Sequence, residues 1–460
     1  MLPFGTCPQE VAVKPQGTVG GQRVSSAQPE SPSSEYHDTG LLERVLSREN
    51  MRAALLRVEK NKGAPGSDGL TVQNLRPYLK DHWESIRSAV LSETYKPMPV
   101  RRVEIPKPGG HGVRLLGIPS TTDRLLQQAL LQVLTPIFDP TFSEASYGFR
   151  PGRRGHDAVR RARQYVREGW KWVVDIDVAD FFNHVNHDIL MSRMSRRVND
   201  KRVLRLIRAY LESGVMLNGV VVTTEEGTPQ GGPLSPLLAN VLLDDLDKEL
   251  EHRGHQFVRY ADDCNVYVRS RKAGERVKQG ITSFLKRRLK LTVNEEKSAV
   301  DRPQRRKFLG FSLLFDKDSR IRLAPPSLRR VKAKIKGLTS RRRSQSLEAR
   351  LVRLNTYLRG WVHYFALAET PTPFKKLDEW IRRRLRLCLW KQWKRAYTRF
   401  KNLHALGLSE VDAWAGAGSK KGLWRIANSP PVKKALNNAY WRAQGLVSLF
   451  DEYQAIRQAW

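Results

Sequence analysis

"FVRYADDCNVYV", residues 257–268, sets two adjacent carboxylates between two apolar runs. Phe257, Val258 and Tyr260 lead in, and Val266, Tyr267 and Val268 lead out, the pattern of a β-hairpin. A tight turn here would ordinarily carry Asn-Gly or Asp-Gly, but Asp262 and Asp263 occupy the tip. Asp is common in turns because its side chain bonds the local backbone. This stretch alone leaves turn chemistry and function both open.

A second acidic strand lies upstream. In "VVDIDVADFFNHVNHD" (173–188), Asp175 and Asp177 are two residues apart and share a strand face, with Asp180 just beyond. If the two strands pair, these carboxylates converge with those of the hairpin. Clustered carboxylates repel one another unless they hold cations, and hard oxygen ligands suit Mg²⁺. Two such ions can activate an attacking 3′-hydroxyl and stabilise a leaving pyrophosphate. Nucleotidyl transfer thus leads the candidate chemistries, although spacing alone does not select it.

The composition points to the partner. Of 460 residues, 81 are Lys or Arg and 46 Asp or Glu, a net charge of +35. Such an excess fits a polyanion, most commonly nucleic acid. Residues 301–460 hold 36 of the basic and 11 of the acidic residues, so the last third carries most of the attraction. Cys7, Cys264 and Cys388 form no CxxC pair, which excludes a disulfide framework or zinc module and fits a reducing cytoplasm. No run of about 18 apolar residues implies a membrane span, and the N-terminus lacks the order of a signal peptide.

Residues 1–38, rich in Gly, Pro, Ser and Gln, read as a disordered leader. Helical periodicity begins near Leu41 and breaks at "NKGAPGSDG" (61–69). "VRRVEIPKPGGHGVRLLGIP" (100–119) reads as two strands about a Gly-rich loop, "DRLLQQALLQVLTPIF" (123–138) as a helix, and "VMLNGVVVTT" (215–224) as a hairpin about Asn218-Gly219. "SPLLANVLLDDLDKEL" (235–250) reads as a helix with Ser235 as N-cap and Pro236 following. The irregular alternation predicts an α+β body. After about residue 325 only helical patterns remain. In "LDEWIRRRLRLCLWKQWKR", Ile381, Leu385, Cys388 and Leu389 share a face, and Arg382, Arg383 and Arg386 lie off it. Trp361, Trp380, Trp390 and Trp393 interleave with positive charge, an arrangement open to base stacking or simply to core packing, which is expected for most of them.

"YADD" (260–263) with "DIDVADFF" upstream resembles the palm of reverse transcriptases. "NKGAPGSDG", "RRVEIPKPGG", "LGIPSTTDRLLQQALLQVLTPIFDPTFSEASYGFRPGR", "GTPQGGPLSPLLANVLLDDLD" and "FLGF" resemble, in order, the polymerase blocks of bacterial group II intron-encoded proteins. "LNTYLRGWVHYF" and the basic helix after it resemble that family's maturase (X, or thumb) domain. The pattern is most similar to the compact class C proteins, which lack a nuclease module. The resemblance implies a right-hand polymerase: fingers and palm over 39–315, an α-helical thumb over 316–400, and a small basic helical DNA-binding region over 401–460.

It further implies Asp177, Asp262 and Asp263 as catalytic ligands of two Mg²⁺ ions. Asp175 is the rival on the same strand; the family's spacing favours Asp177, because Phe182 follows five residues on. Phe182 would be the gate that excludes a ribose 2′-hydroxyl, its alternative being a core aromatic. Lys107 and Arg114 would grip the triphosphate of an incoming dNTP, Gln230 would lie against it, and Lys297 would protonate the leaving pyrophosphate. The alternative for Lys107 and Arg114 is a solvated loop charge, and for Lys297 a structural ion pair. Asn183 departs from the family's usual Asp. The end of the sequence shows neither Cys pairs nor an HNH-like cluster, so a DNA 3′ end supplied elsewhere would serve as primer.

The implied function is an RNA-directed DNA polymerase in a bacterial cytoplasm that also binds its group II intron RNA, assists splicing and retrohomes. Its partners would be that intron RNA, an RNA template with a DNA primer, target DNA and dNTPs, without a membrane. Two rivals remain at this stage. One is a domesticated reverse transcriptase in DNA repair or phage defence, and the other a splicing-only maturase. An RNA-dependent RNA polymerase is disfavoured by Phe182.

Overall fold

A computed structural model describes residues 40–106, 113–217, 220–222, 226–228, 231–341 and 345–460. The leader, Lys107, Gln230 and the Asn218-Gly219 turn lie outside the described residues, as does the side chain of Arg114. Residues 39–460 cluster as one unit.

The chain enters through α1 (Leu41–Val45) and α2 (Arg48–Asn61), separated where the Ser47 hydroxyl accepts the Asn50 N–H as an N-cap. Helix α3 (Leu75–Leu91) leads to β1 (Val100–Pro106) and β2 (Val113–Ile118), an antiparallel pair as expected from their β-branched pattern. Helix α4 (Thr121–Phe138) starts at Ser120, which caps the Asp123 N–H, and buries almost its whole surface. Then come α5 (Gly155–Arg167), β3 (Trp172–Ile176), α6 (His187–Met194) and α7 (Lys201–Glu212). Strands β4 (Val215–Leu217) and β5 (Val220–Val222) extend the first sheet in the order β2-β1-β4-β5.

Helix α8 (Ser235–His252) corrects one expectation. Leu234 already has helical backbone angles, so Ser235 lies inside the first turn instead of capping it. The decisive hairpin is β6 (Gln256–Tyr260) and β7 (Asp263–Val268), followed by α9 (Arg271–Phe284) and β8 (Ala299–Asp301). These join β3 in a second sheet, ordered β6-β7-β3-β8, with every neighbouring pair antiparallel.

The two faces of this sheet belong to different cores, as period-two side-chain alternation requires. Val174, Ile176, Cys264 and Val266 enter a core built with α4, α7 and α8. Val173, Val258 and Tyr267 enter a second core with α5 and the C-terminal helices. Asp175 shares the face of Val173, so the alternation itself turns it towards the second side.

A short pair, β9 (Phe311–Leu313) and β10 (Ile321–Leu323), precedes three helices: α10 (Pro325–Leu338), α11 (Leu347–Phe365) and α12 (Thr372–Gln392). Trp361 and Trp390 are buried among them, the core outcome expected for most of the tryptophans. Ile381, Leu385, Cys388 and Leu389 are buried as their shared face predicts. Arg386, expected off that face, is buried too. It donates to the Ala427 and Leu436 carbonyls at 2.8 and 3.1 Å and so fastens the following helices, α13 to α18, between Ala396 and Gln458. No helix among the described residues is long and apolar enough to cross a membrane.

Candidate active site

Register brings the acids together. Strand β3 pairs with β7 through Asp175–Asn265 and Ile176–Cys264, so one further step sets Asp177 opposite Asp263. On its other edge β3 pairs with β8 through Asp175–Ala299, and Lys297, on the turn before β8, brings its ammonium to 3.4 Å from Asp177 Oδ2. Two contacts fix that end of the strand. The Asp177 N–H donates to Ser298 Oγ at 2.9 Å, and the Asp177 carbonyl accepts the Asn294 N–H at 2.8 Å.

Asp175, Asp177, Asp263 and Lys297 line one wall of a cavity of about 1020 Å³. Arg305, Arg306, Lys307 and the Phe308–Gly310 segment also line it, as do Arg330, Tyr357, Trp361 and Tyr364 of α10 and α11. It is thus a cleft between the acidic end of the sheet and the C-terminal helices, with cations facing carboxylates. Asp262, half-buried on the turn, is not among its lining residues.

The carboxylates are not equivalent. Asp175 is clasped by Arg306, whose Nε and Nη2 lie 2.8 and 2.6 Å from the same Oδ2. Burial raises its pKa against the pull of Arg306, and the charge of Asp177 adds to the rise. Asp177 meets the looser Lys297 ammonium, 3.4 Å from Oδ2 and mostly in solvent. Asp263 reaches water at the cleft mouth but is surrounded by protein mass. Burial first, and then the charges of Asp262, Asp175 and Asp177, push its pKa up to about 7. A carboxyl held that far from its ordinary range among other acids marks a place where a cation would be welcome.

No group of three or more His, Cys, Asp or Glu among the described residues closes into a metal-binding cluster. The donor chemistry nevertheless fits Mg²⁺, which keeps several waters and typically takes one or two carboxylates, with substrate phosphates completing its shell.

Beyond β3 the backbone turns at Asp180, φ 39°, into a short 3₁₀ turn, Phe181–Asn183. The Phe182 ring is half-buried and meets Phe181 edge-on, centroids 5.2 Å apart. Its carbonyl accepts the Thr228 N–H at 2.7 Å. Gly227 takes φ 98°, and a Cβ there would stand 2.9 Å from the Asn183 carbonyl. Gly227 and Thr228 therefore lie against Phe182 and Asn183. A Cβ on Gly231 would stand 2.7 Å from the Gly117 carbonyl of β2. The backbone of Arg114, opposite Ile105, belongs to that same strand.

Sequence reasoning missed Arg306 and the fully buried Arg259, which pairs with Asp247. A charged residue inside an otherwise apolar strand is the available signal for Arg259, since such a charge must be paired.

The chain is similar to known proteins along most of its length. The family profile "Reverse transcriptase (RNA-dependent DNA polymerase)" matches residues 105–313, and "Group II intron, maturase-specific domain" matches residues 328–407. Protein YkfC of Escherichia coli (strain K12) is 31% identical over 298 residues, 56% of this chain and 78% of YkfC. The group II intron-encoded protein LtrA of Lactococcus lactis subsp. cremoris is 27% identical over 357 residues, 64% of this chain and 59% of LtrA. A solved partial Cas6-RT-Cas1–Cas2 complex matches 54% of this chain and 42% of that chain, at 27% identity and a TM-score of 0.36. The chain belongs to the group II intron-encoded reverse transcriptase and maturase family, whose enzymatic class is RNA-directed DNA polymerase.

Proposed function

We propose that this protein copies group II intron RNA into DNA at the cleft below β3 and β7, with Asp177, Asp262 and Asp263 as the catalytic carboxylates. The observation that carries the reading is the β3–β7 register, one step beyond which Asp177 stands opposite Asp263, with Lys297 Nζ 3.4 Å from its Oδ2. Bound Mg²⁺, two ions by this reading, would supply the charge that activates a 3′-hydroxyl and neutralises pyrophosphate. Asp177 and Asp263 would hold it from the cleft and Asp262 from the turn. Lys297, beside Asp177, is placed to give a proton to the departing pyrophosphate. Phe182 stands as the sugar gate. Lys107, Arg114 and Gln230 serve the incoming dNTP, an assignment supported by the resemblance of "RRVEIPKPGG" and "GTPQGG" to the family's polymerase blocks.

The basic C-terminal third binds intron RNA and target DNA through phosphate contacts, and the function extends to splicing and retrohoming in a bacterial cytoplasm. The domain limits are those of the sequence reading: leader 1–38, fingers and palm 39–315, thumb 316–400, DNA-binding region 401–460. The test is primer extension on an RNA template with dNTPs and Mg²⁺, beside Asp262→Ala. Full-length DNA from the wild type and none from the variant, with RNA affinity intact, is the expected result. Extension by both proteins would remove the catalytic assignment, and silence from both with tight RNA binding would favour a splicing-only maturase.

A further inference from the structure

The turn that carries Asp262 is held from beneath by a buried ion pair. Arg259 and Asp247 are both fully inaccessible to solvent. Arg259 Nε and Nη2 donate to the two Asp247 oxygens at 2.7 and 2.5 Å, the forked geometry of a bidentate pair. Its Nη1 donates to Asn240 Oδ1 at 3.0 Å and to the Ala261 carbonyl at 2.9 Å. Asn240 in turn donates to the Gly148 carbonyl at 2.8 Å. Asn240 and Asp247 lie seven residues apart, on one face of α8.

Ala261 is the point where strain enters. It takes φ 57°, a left-handed conformation that costs a residue with a Cβ and persists only where its surroundings over-determine it. Gly148 presses on its other side: a Cβ on that glycine would stand 2.3 Å from the Ala261 nitrogen. The amide side of Ala261 is thus packed against bare backbone, and its carbonyl is held by a guanidinium that α8 holds in turn.

We propose that Arg259, anchored by Asp247, is a positioning residue that locks the Ala261-Asp262 turn and thereby sets the carboxylates of Asp262 and Asp263 for catalysis. This rests on the reading of those two acids as catalytic. The pair touches neither substrate nor metal, so its effect should fall on the rate of the chemical step, where a displacement of about 1 Å can cost on the order of a hundredfold, and leave binding alone.

The test uses Arg259→Lys, which keeps a charge beside Asp247 without the planar fork, and the apolar pair Arg259→Met with Asp247→Leu, since well-packed apolar replacements of buried pairs often fold. Single-nucleotide addition, template–primer affinity, melting, and hydrogen–deuterium exchange across 256–268 are measured with wild type and Asp262→Ala alongside. We expect kcat to fall by about tenfold or more, with the KM for dNTP and the template–primer Kd within about threefold, and faster exchange confined to the turn. Wild-type kcat in either folded variant overturns the proposal. So does a parallel loss of kcat, KM and Kd, which a merely structural pair would give. If the double variant does not fold, Arg259→Lys decides alone. Activity surviving in Asp262→Ala would instead overturn the catalytic reading, whatever Arg259 does.

Discussion

Asp177 stands one register step beyond the last β3–β7 pair, opposite Asp263, and its Oδ2 lies 3.4 Å from Lys297 Nζ. Asp175, one turn of the pleat back, faces the same cleft but is already neutralised by Arg306 at 2.6 and 2.8 Å. A carboxylate occupied by a guanidinium is poorly available to a cation, whereas one beside a solvent-exposed lysine is not.

Asp175 and Asp177 therefore separate by mutation. Asp177→Asn is expected to lower primer extension by roughly a thousandfold, and Asp175→Asn by less than about tenfold, the losses referring to transition-state stabilisation. Steady-state extension on one template gives both numbers. Equal losses would mean that Arg306 gives up Asp175 when metal binds, and would restore Asp175 as a ligand.

Phe182 is half-buried and braced by Phe181 and the Thr228 amide, so its ring has little freedom to withdraw. Phe182→Ala should admit rNTPs, narrowing dNTP-over-rNTP selectivity by about tenfold or more, measured as a ratio of kcat/KM values. Unchanged selectivity would leave the ring as packing only.

The acidic strand and hairpin were legible because period-two alternation fixes which side chains share a face, and the resemblance to reverse transcriptases covered the same residues. What stayed hidden was pairing across distance. Nothing local to "FVRYADD" says that Arg259 finds Asp247 on a helix, or that Arg306 closes on Asp175. Arg386 was misplaced for the same reason: helical periodicity put it off the apolar face, but α13 to α18 cover that side and supply carbonyls to meet it. Ser235 failed as a cap because helical angles begin at Leu234, which no residue preference announces.

Asp123 gives a pH prediction. Its buried carboxyl is pushed up to about 6 by burial, against hydrogen bonds from Ser120, Tyr95 and the Met98 amide. Its folded pKa lies above the unfolded value of about 3.9. The native state therefore binds more protons between these values, and the Asp123 contribution to stability falls as pH rises from about 4 to 6, then levels. Unfolding free energies of wild type and Asp123→Asn, compared across pH 4 to 7, should diverge in slope by about 2 to 3 kcal/mol over that window. Parallel curves would mean that Asp123 is ionised throughout, satisfied by its three donors.

The basic helix α10 gives the last prediction. Lys332, Lys334 and Lys336 are exposed, while their neighbours Val331 and Ile335 are buried, so the lysines can be changed without touching the core. If they contact phosphates, each neutralised lysine reduces the dependence of log K on log salt by about 0.7 for single strands and 0.9 for duplex. The triple Gln variant should accordingly bind intron RNA with a slope shallower by roughly 2, an unchanged melting temperature, and its largest affinity loss at low salt. Fluorescence anisotropy across a salt series measures this. Parallel lines for wild type and variant would place the RNA elsewhere on the basic third and leave α10 a solvated face.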